Sequence, residues 1–158
     1  MRVFRGDAAE GPKVVYIAGN LDEKASFAQL RSEIAGDAEV VLDLGNLERM
    51  NSAGVRNWIS FARDIPNDMR VVLVRCPVFF VRQISMVSRF LGGTEVGSLY
   101  LPFYCEACDD TDEALYDAAG LSVPLDLREV TCACGEPMAF DEIEENYLRF
   151  LKRQSASE

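Results

Sequence analysis

Four of the five cysteines fall in two close pairs, Cys105-Glu-Ala-Cys108 and Cys132-Ala-Cys134-Gly135. Two turns that each present two sulfurs make the donor set of a tetrahedral metal site. Four thiolates fill the shell of Zn²⁺, so the expected metal is structural. A catalytic zinc keeps one position open for water. The chain contains no histidine. That removes the Ser-His-Asp and Cys-His triads and every imidazole ligand. A redox dithiol at Cys105 and Cys108 is the competing reading, but it leaves Cys132 and Cys134 unexplained. A disulfide-linked tail suits a secreted protein instead. Cys76 stands alone before Pro77 and reads as a small buried apolar residue.

The elements that must position these residues follow from apolar periodicity. Residues 13–18 form a β-branched run that ends at the turn signal Gly19-Asn20. Residues 23–35 place Ala25, Phe27, Leu30 and Ile34 near helical spacing, with Gly36 as the stop. Residues 39–44 are apolar except for Glu39 and Asp43, as in a strand buried on both faces, and Gly45-Asn46 should open a loop. Residues 52–63 read as a helix broken by Pro66-Asn67-Asp68, and 69–74 as a second buried strand. A helix should run from Cys76-Pro77 to about residue 90, and a short strand should follow over 95–101. Val3-Phe4 allows an N-terminal hairpin. The alternation predicts an α/β fold with a mostly parallel sheet and crossover helices over 1–102. Residues 103–158 then form a cysteine-bearing tail with an amphipathic helix over 141–152.

The segment Val40 to Val55 resembles the STAS domain of bacterial anti-sigma-factor antagonists and of the cytoplasmic portions of sulfate transporters. The likeness rests on a strand ending at Asp43-Leu44, a short loop, and Ser52-x-Gly54-Val55 opening a helix. Gly19-Asn20-Leu21-Asp22 and the strand Val71 to Val74 are similar in spacing, and about residues 10–100 are covered. The resemblance implies a STAS-like mixed sheet and a non-enzymatic signalling module that binds a protein partner, an anti-sigma factor or serine kinase. It also implies docking around Asn51, Ser52, Ala53 and Gly54, with Ser52 as the phosphorylation candidate. The family often carries Asp before this serine and Ser after it, where this chain has Asn51 and Ala53. A phosphate would meet free backbone N–H groups at a helix start and add nearly two negative charges. Residue preference alone assigns Asn51 or Ser52 a simpler role, capping the helix. Gly54 serves either close packing or the approach of a partner.

The tail resembles a zinc ribbon, a pair of cysteine knuckles whose second knuckle ends in glycine, and structural Zn²⁺ is the implied cofactor. The usual second knuckle separates its cysteines by two residues. Here Thr131 stands where that pattern would put a cysteine, and one residue separates Cys132 from Cys134. A tail of about 50 residues has too small a core to fold easily without a staple.

Charge divides with the chain. Residues 105–158 carry 14 acids and 4 bases, which accounts for the whole net charge of −10. Such a surface repels phosphates, so no nucleic-acid partner is expected. The acids of 141–145 read as the solvated face of the last helix, with Ile143, Tyr147, Leu148, Phe150 and Leu151 as its apolar face. No run is apolar enough to span a membrane and no signal segment opens the chain, so a cytoplasmic protein is expected. The reading from another class is a thiol-redox or metal-dependent protein that uses the tail cysteines, or a purely structural scaffold subunit.

Overall fold

The computed structural model describes residues 1–6 and 10–156. Four strands follow the expected order: β1 (Arg2–Arg5), β2 (Lys13–Leu21), β3 (Glu39–Met50) and β4 (Arg70–Val74). With β5 (Thr94–Val96) they form a five-stranded sheet in the order β1-β2-β3-β4-β5. β1 and β2 make the expected antiparallel hairpin, and residues 7–9 between them lie outside the described residues. All other pairs are parallel. The crossovers are α1 (Phe27–Ile34), α2 (Ser52–Arg63) and α3 (Val78–Met86). A mixed sheet with crossover helices is therefore the architecture of this half.

Three elements differ from the sequence reading, each for a local reason. α1 starts at Phe27, because residues 22–25 are held in a turn: Asp22 Oδ1 accepts from Lys24 N–H (2.9 Å) and Asp22 O from Ala25 N–H (3.1 Å). An Asp that bonds its own backbone competes with helix. β3 does not stop at Gly45 but runs on to Met50, pairing with β2 as far as Leu21. The register slips where Tyr16 faces Asp43 while Ala18 faces Asn46, which marks a bulge at Leu44-Gly45. α3 ends at Met86, and the chain turns so that Phe90 reaches the core.

The expected strand over 95–101 is two strands divided at Gly97. β5 closes the first sheet. β6 (Ser98–Tyr104) enters a second, antiparallel sheet with β7 (Thr111–Asp117), β8 (Val130–Thr131) and β9 (Pro137–Phe140), in the order β7-β6-β9-β8. Gly97 bonds both sides: its N–H donates to Leu73 O (2.7 Å) and its carbonyl accepts from Ala118 N–H (2.9 Å). A Cβ there would lie 2.7 Å from Val72 Cγ1, so only glycine makes the crossing without displacing that side chain. Cys76 links the two sheets through Leu99, donating to Ser98 O (3.1 Å) and accepting from Tyr100 N–H (3.0 Å). Its side chain is fully buried, and burial pushes its thiol pKa up.

The last helix is also broken. α4 (Glu144–Tyr147) and α5 (Arg149–Ala156) are separated by Leu148, which is completely buried. Tyr147, Leu148 and Phe150 face the interior as expected, but Ile143 is 63% exposed and does not join that face. The acids ahead of the helix are not all free in solvent: Glu142 pairs with Arg82 (2.5 Å), and Glu144 accepts from Leu125 N–H (2.9 Å).

One buried apolar cluster runs from Val15 in β2 to Phe150 in α5 and includes Cys105 and Cys132. At its centre Trp58 is ringed by Phe27, Phe61, Phe80 and Phe90, with ring centroids 5.1–6.3 Å away. Its indole N–H donates to Phe90 O (2.9 Å). Among the described residues no helix is long and apolar enough to cross a membrane.

Candidate functional site: a four-cysteine centre and an exposed helix start

Two turns build the cysteine centre. The first leaves β6 at Cys105: Cys105 N–H donates to Asp110 O (2.9 Å) and Asp109 N–H to Cys105 O (2.9 Å). The second lies between β8 and β9: Cys132 N–H donates to Glu136 O (2.8 Å) and Gly135 N–H to Cys132 O (2.9 Å). In each turn the residue directly after the second cysteine is left-handed, Asp109 at φ 59° and Gly135 at φ 94°. Asp tolerates that region and Gly prefers it. The second turn is simply one residue shorter between its cysteines. The Cys132-x-Cys134 spacing therefore still delivers both sulfurs to the centre.

The four sulfurs lie within 4.8 Å of one another. Cys105 Sγ is 3.6 Å from Cys134 Sγ, and Cys108 Sγ is 3.5 Å from Cys132 Sγ. Disulfide sulfurs would stand about 2.05 Å apart. A tetrahedron with metal–sulfur bonds of about 2.3 Å has edges of roughly 3.8 Å. The set thus has the size of a four-thiolate metal shell. Cys105 and Cys132 are buried, whereas Cys108 and Cys134 are exposed.

Backbone dipoles favour thiolate here. The Cys108 N–H pointing at Cys105 sulfur, helped by that of Ala107, outweighs desolvation and draws the Cys105 thiol down to about 7. The Asp110 N–H acts in the same sense on Cys108, but hydrogen bonds from Cys132 and Cys105 overcome it and push Cys108 up to about 12. Cys134 behaves likewise: the Glu136 N–H lowers its pKa, contacts with Cys105 and Cys132 raise it, and the net direction is upward. One sulfur ionises readily and then holds protons on its neighbours. A divalent cation removes that conflict by neutralising the thiolates together. The four cysteines could therefore hold a metal ion.

The second predicted site is the start of α2. Asn51 is its cap: Oδ1 accepts from Gly54 N–H (2.9 Å), and Nδ2 donates to Glu23 Oε2 (2.9 Å). That amide is the main reason Glu23 titrates below the usual carboxylate range. Ser52 is exposed at the first helical position, and among the described residues its hydroxyl has no hydrogen-bond partner. Ala53 is half-buried and Gly54 is buried. A Cβ on Gly54 would fall 1.8 Å from Leu21 O, so the glycine serves close packing of α2 on the end of β2. Asn51 N–H also donates to Leu21 O (3.1 Å).

The bulge in β3 is held by a pair that the sequence alone does not reveal. Asp43 is nearly buried in β3 and receives the Arg75 guanidinium at 2.8–3.0 Å. It also accepts from Gly45 N–H (3.0 Å), which holds the bulge in place. Arg75 itself is left-handed (φ 51°), and a Cβ on Gly45 would fall 2.4 Å from Arg75 Cζ. An acid inside an apolar run was the visible half of this signal. The position of Arg75 had none.

Comparison with protein-family models, with curated proteins and with solved structures gives no significant match to this chain.

Proposed function

We propose that the protein is a non-enzymatic regulatory module, anti-sigma-factor-antagonist-like, that docks a protein partner through the start of α2 and holds a structural Zn²⁺ on Cys105, Cys108, Cys132 and Cys134. The observation that carries the docking half is that Asn51, not Ser52, caps α2. Ser52 is thereby free of a structural task and presents its hydroxyl to solvent at the positive end of a helix. A serine kinase partner would reach it there. Phosphate would place nearly two charges beside the Glu23 carboxylate that Asn51 now holds, and the two anions would repel. Ser52 phosphorylation therefore changes both charge and shape at the docking surface. The zinc half is supported by the closeness of four sulfurs and by the backbone N–H groups aimed at them.

Intact-mass measurement on protein from its native cell tests the phosphoacceptor. A phosphate adduct that disappears in Ser52→Ala supports it. An unmodified chain across growth conditions, with partner capture identical for wild type and Ser52→Glu, overturns it. Metal analysis tests the zinc. One zinc per chain is expected, and metal-free protein with four freely titrating tail thiols would overturn that half alone.

A further inference from the structure

Two sulfur contacts cross the centre from one turn to the other. Cys105 lies 3.6 Å from Cys134 and Cys108 lies 3.5 Å from Cys132, so each contact joins the two knuckles. Each also joins one exposed sulfur to one buried sulfur. An exposed cysteine whose sulfur touches a second cysteine sulfur is the arrangement that converts peroxide attack into a disulfide, because the first oxidation product already has its resolving partner beside it. We propose that the four-cysteine centre is an oxidation site for hydrogen peroxide, at which the cross-knuckle disulfides Cys105–Cys134 and Cys108–Cys132 form and displace the metal. This rests on the zinc reading above for the starting state and goes beyond it in assigning the connectivity.

The sulfur of exposed Cys134 (or Cys108) attacks one peroxide oxygen and the O–O bond breaks. The leaving hydroxide takes a proton to become water, and the sulfur, oxidised by two electrons, carries OH. The buried partner, Cys105 (or Cys132), then attacks that sulfur. The S–O bond breaks, and a second hydroxide leaves as water after protonation. Each disulfide thus consumes one hydrogen peroxide and two protons and releases two waters. Zinc changes no oxidation state. It loses its thiolate ligands and leaves as Zn²⁺.

The surroundings suit a neutral oxidant. The knuckle segments 105–110 and 132–136 contain Glu106, Asp109, Asp110 and Glu136 and no basic residue. An anionic oxidant would be repelled there, whereas hydrogen peroxide would not. A disulfide within the second turn is disfavoured by its backbone, and with Cys132 and Cys134 not joined to each other the bridges must run between the turns. The Cys132–Cys134 turn is already closed by the Cys132 and Gly135 N–H bonds, and a bridge across one residue would have to break that geometry. The consequence is specific: oxidation exchanges one staple for another. The two knuckles stay tied after the metal has gone, whereas chelation unties them.

The test uses the full chain. Metal content is measured before oxidation, and a metal-free preparation at that stage counts against the zinc reading only. Hydrogen peroxide is then added, with zinc release followed by a chromogenic chelator and linkages mapped by proteolysis and mass spectrometry. The expected result is loss of four of the five thiols, buried Cys76 staying reduced, with peptides joined as Cys105–Cys134 and Cys108–Cys132. In Cys108→Ser the Cys105–Cys134 link should persist and Cys132 should remain a thiol. Tail thiols that survive peroxide unchanged overturn the inference, as do linkages within the knuckles. The linkage map reads the same way on metal-free protein, so the inference and the zinc reading fail separately.

Discussion

The two sheets of this molecule differ in how far their strands pair. In the first, β3 sits between β2 and β4 with ladders of eight and five residue pairs, and Val40, Leu42, Leu44, Val71 and Leu73 are buried. In the second, β6 and β7 share a long ladder, but β9 meets β6 over two residue pairs and β8 over two more. Most of β7 faces solvent. Two-pair ladders are too short to be stable alone. β8 and β9 meet the end of β6 where the four sulfurs come together, beside the Phe103–Phe140 ring contact and the bond from Asp141 N–H to Pro102 O. A metal held by those sulfurs would add a cross-link where the ladders are shortest.

Metal removal should break this contrast open most visibly. Zinc affinity in small cysteine modules is on the order of 10–16 kcal/mol and is drawn on for folding. Chelation of zinc-loaded protein should therefore erase amide-exchange protection over 130–140 while β2, β3 and β4 keep theirs. Equal loss in both sheets would show that the halves are not held separately. The converse experiment is Trp58→Ala. Removing a fully buried indole from its ring of four phenylalanines should cost about 3–5 kcal/mol in chemical denaturation and leave metal stoichiometry unchanged. Loss of metal in that variant would mean that the aromatic core also organises the knuckles.

A smaller effect in the first half comes from Gly54→Ala. The new methyl would overlap Leu21 O, so α2 must lift off the end of β2, at about 1–3 kcal/mol. Denaturant midpoints measure this. A variant as stable as wild type would mean that α2 is free to shift, and that the helix start is not held rigidly for docking.

How much of this was legible in the sequence follows the same division. The central strands announce themselves as nearly continuous apolar runs and were placed within a residue or two at their starts, although one face of β4 is only half-buried. The cysteine pairs were equally plain, because few arrangements explain four thiols in two short turns. The hidden parts depend on long-range geometry. Gly97 looks like any residue within a strand, and only the opposing Val72 and the two sheets it bridges make it a pivot. Gly45-Asn46 carries a turn signal, yet the Asp43–Arg75 pair turns that signal into a bulge and lets the strand continue. The choice between Asn51 and Ser52 as cap could not be made from preference, since both residue types suit the position. It was made by the approach of Leu21 and Glu23.

That choice leads to the smallest effects. Asn51→Ala deletes the acceptor for Gly54 N–H and the donor to Glu23, and should cost about 1 kcal/mol. Ser52→Ala removes an exposed hydroxyl without a partner, and its stability should stay within about 0.5 kcal/mol of wild type. The comparison matters more than either value. If Ser52 were the cap, the two numbers would exchange places. Measured together in the same denaturant series, a large cost for Asn51→Ala beside a negligible one for Ser52→Ala separates the residue that builds the helix from the residue left available for modification. Any loss of partner binding in Ser52→Ala then tests the proposed docking surface, because the fold beneath it is unchanged.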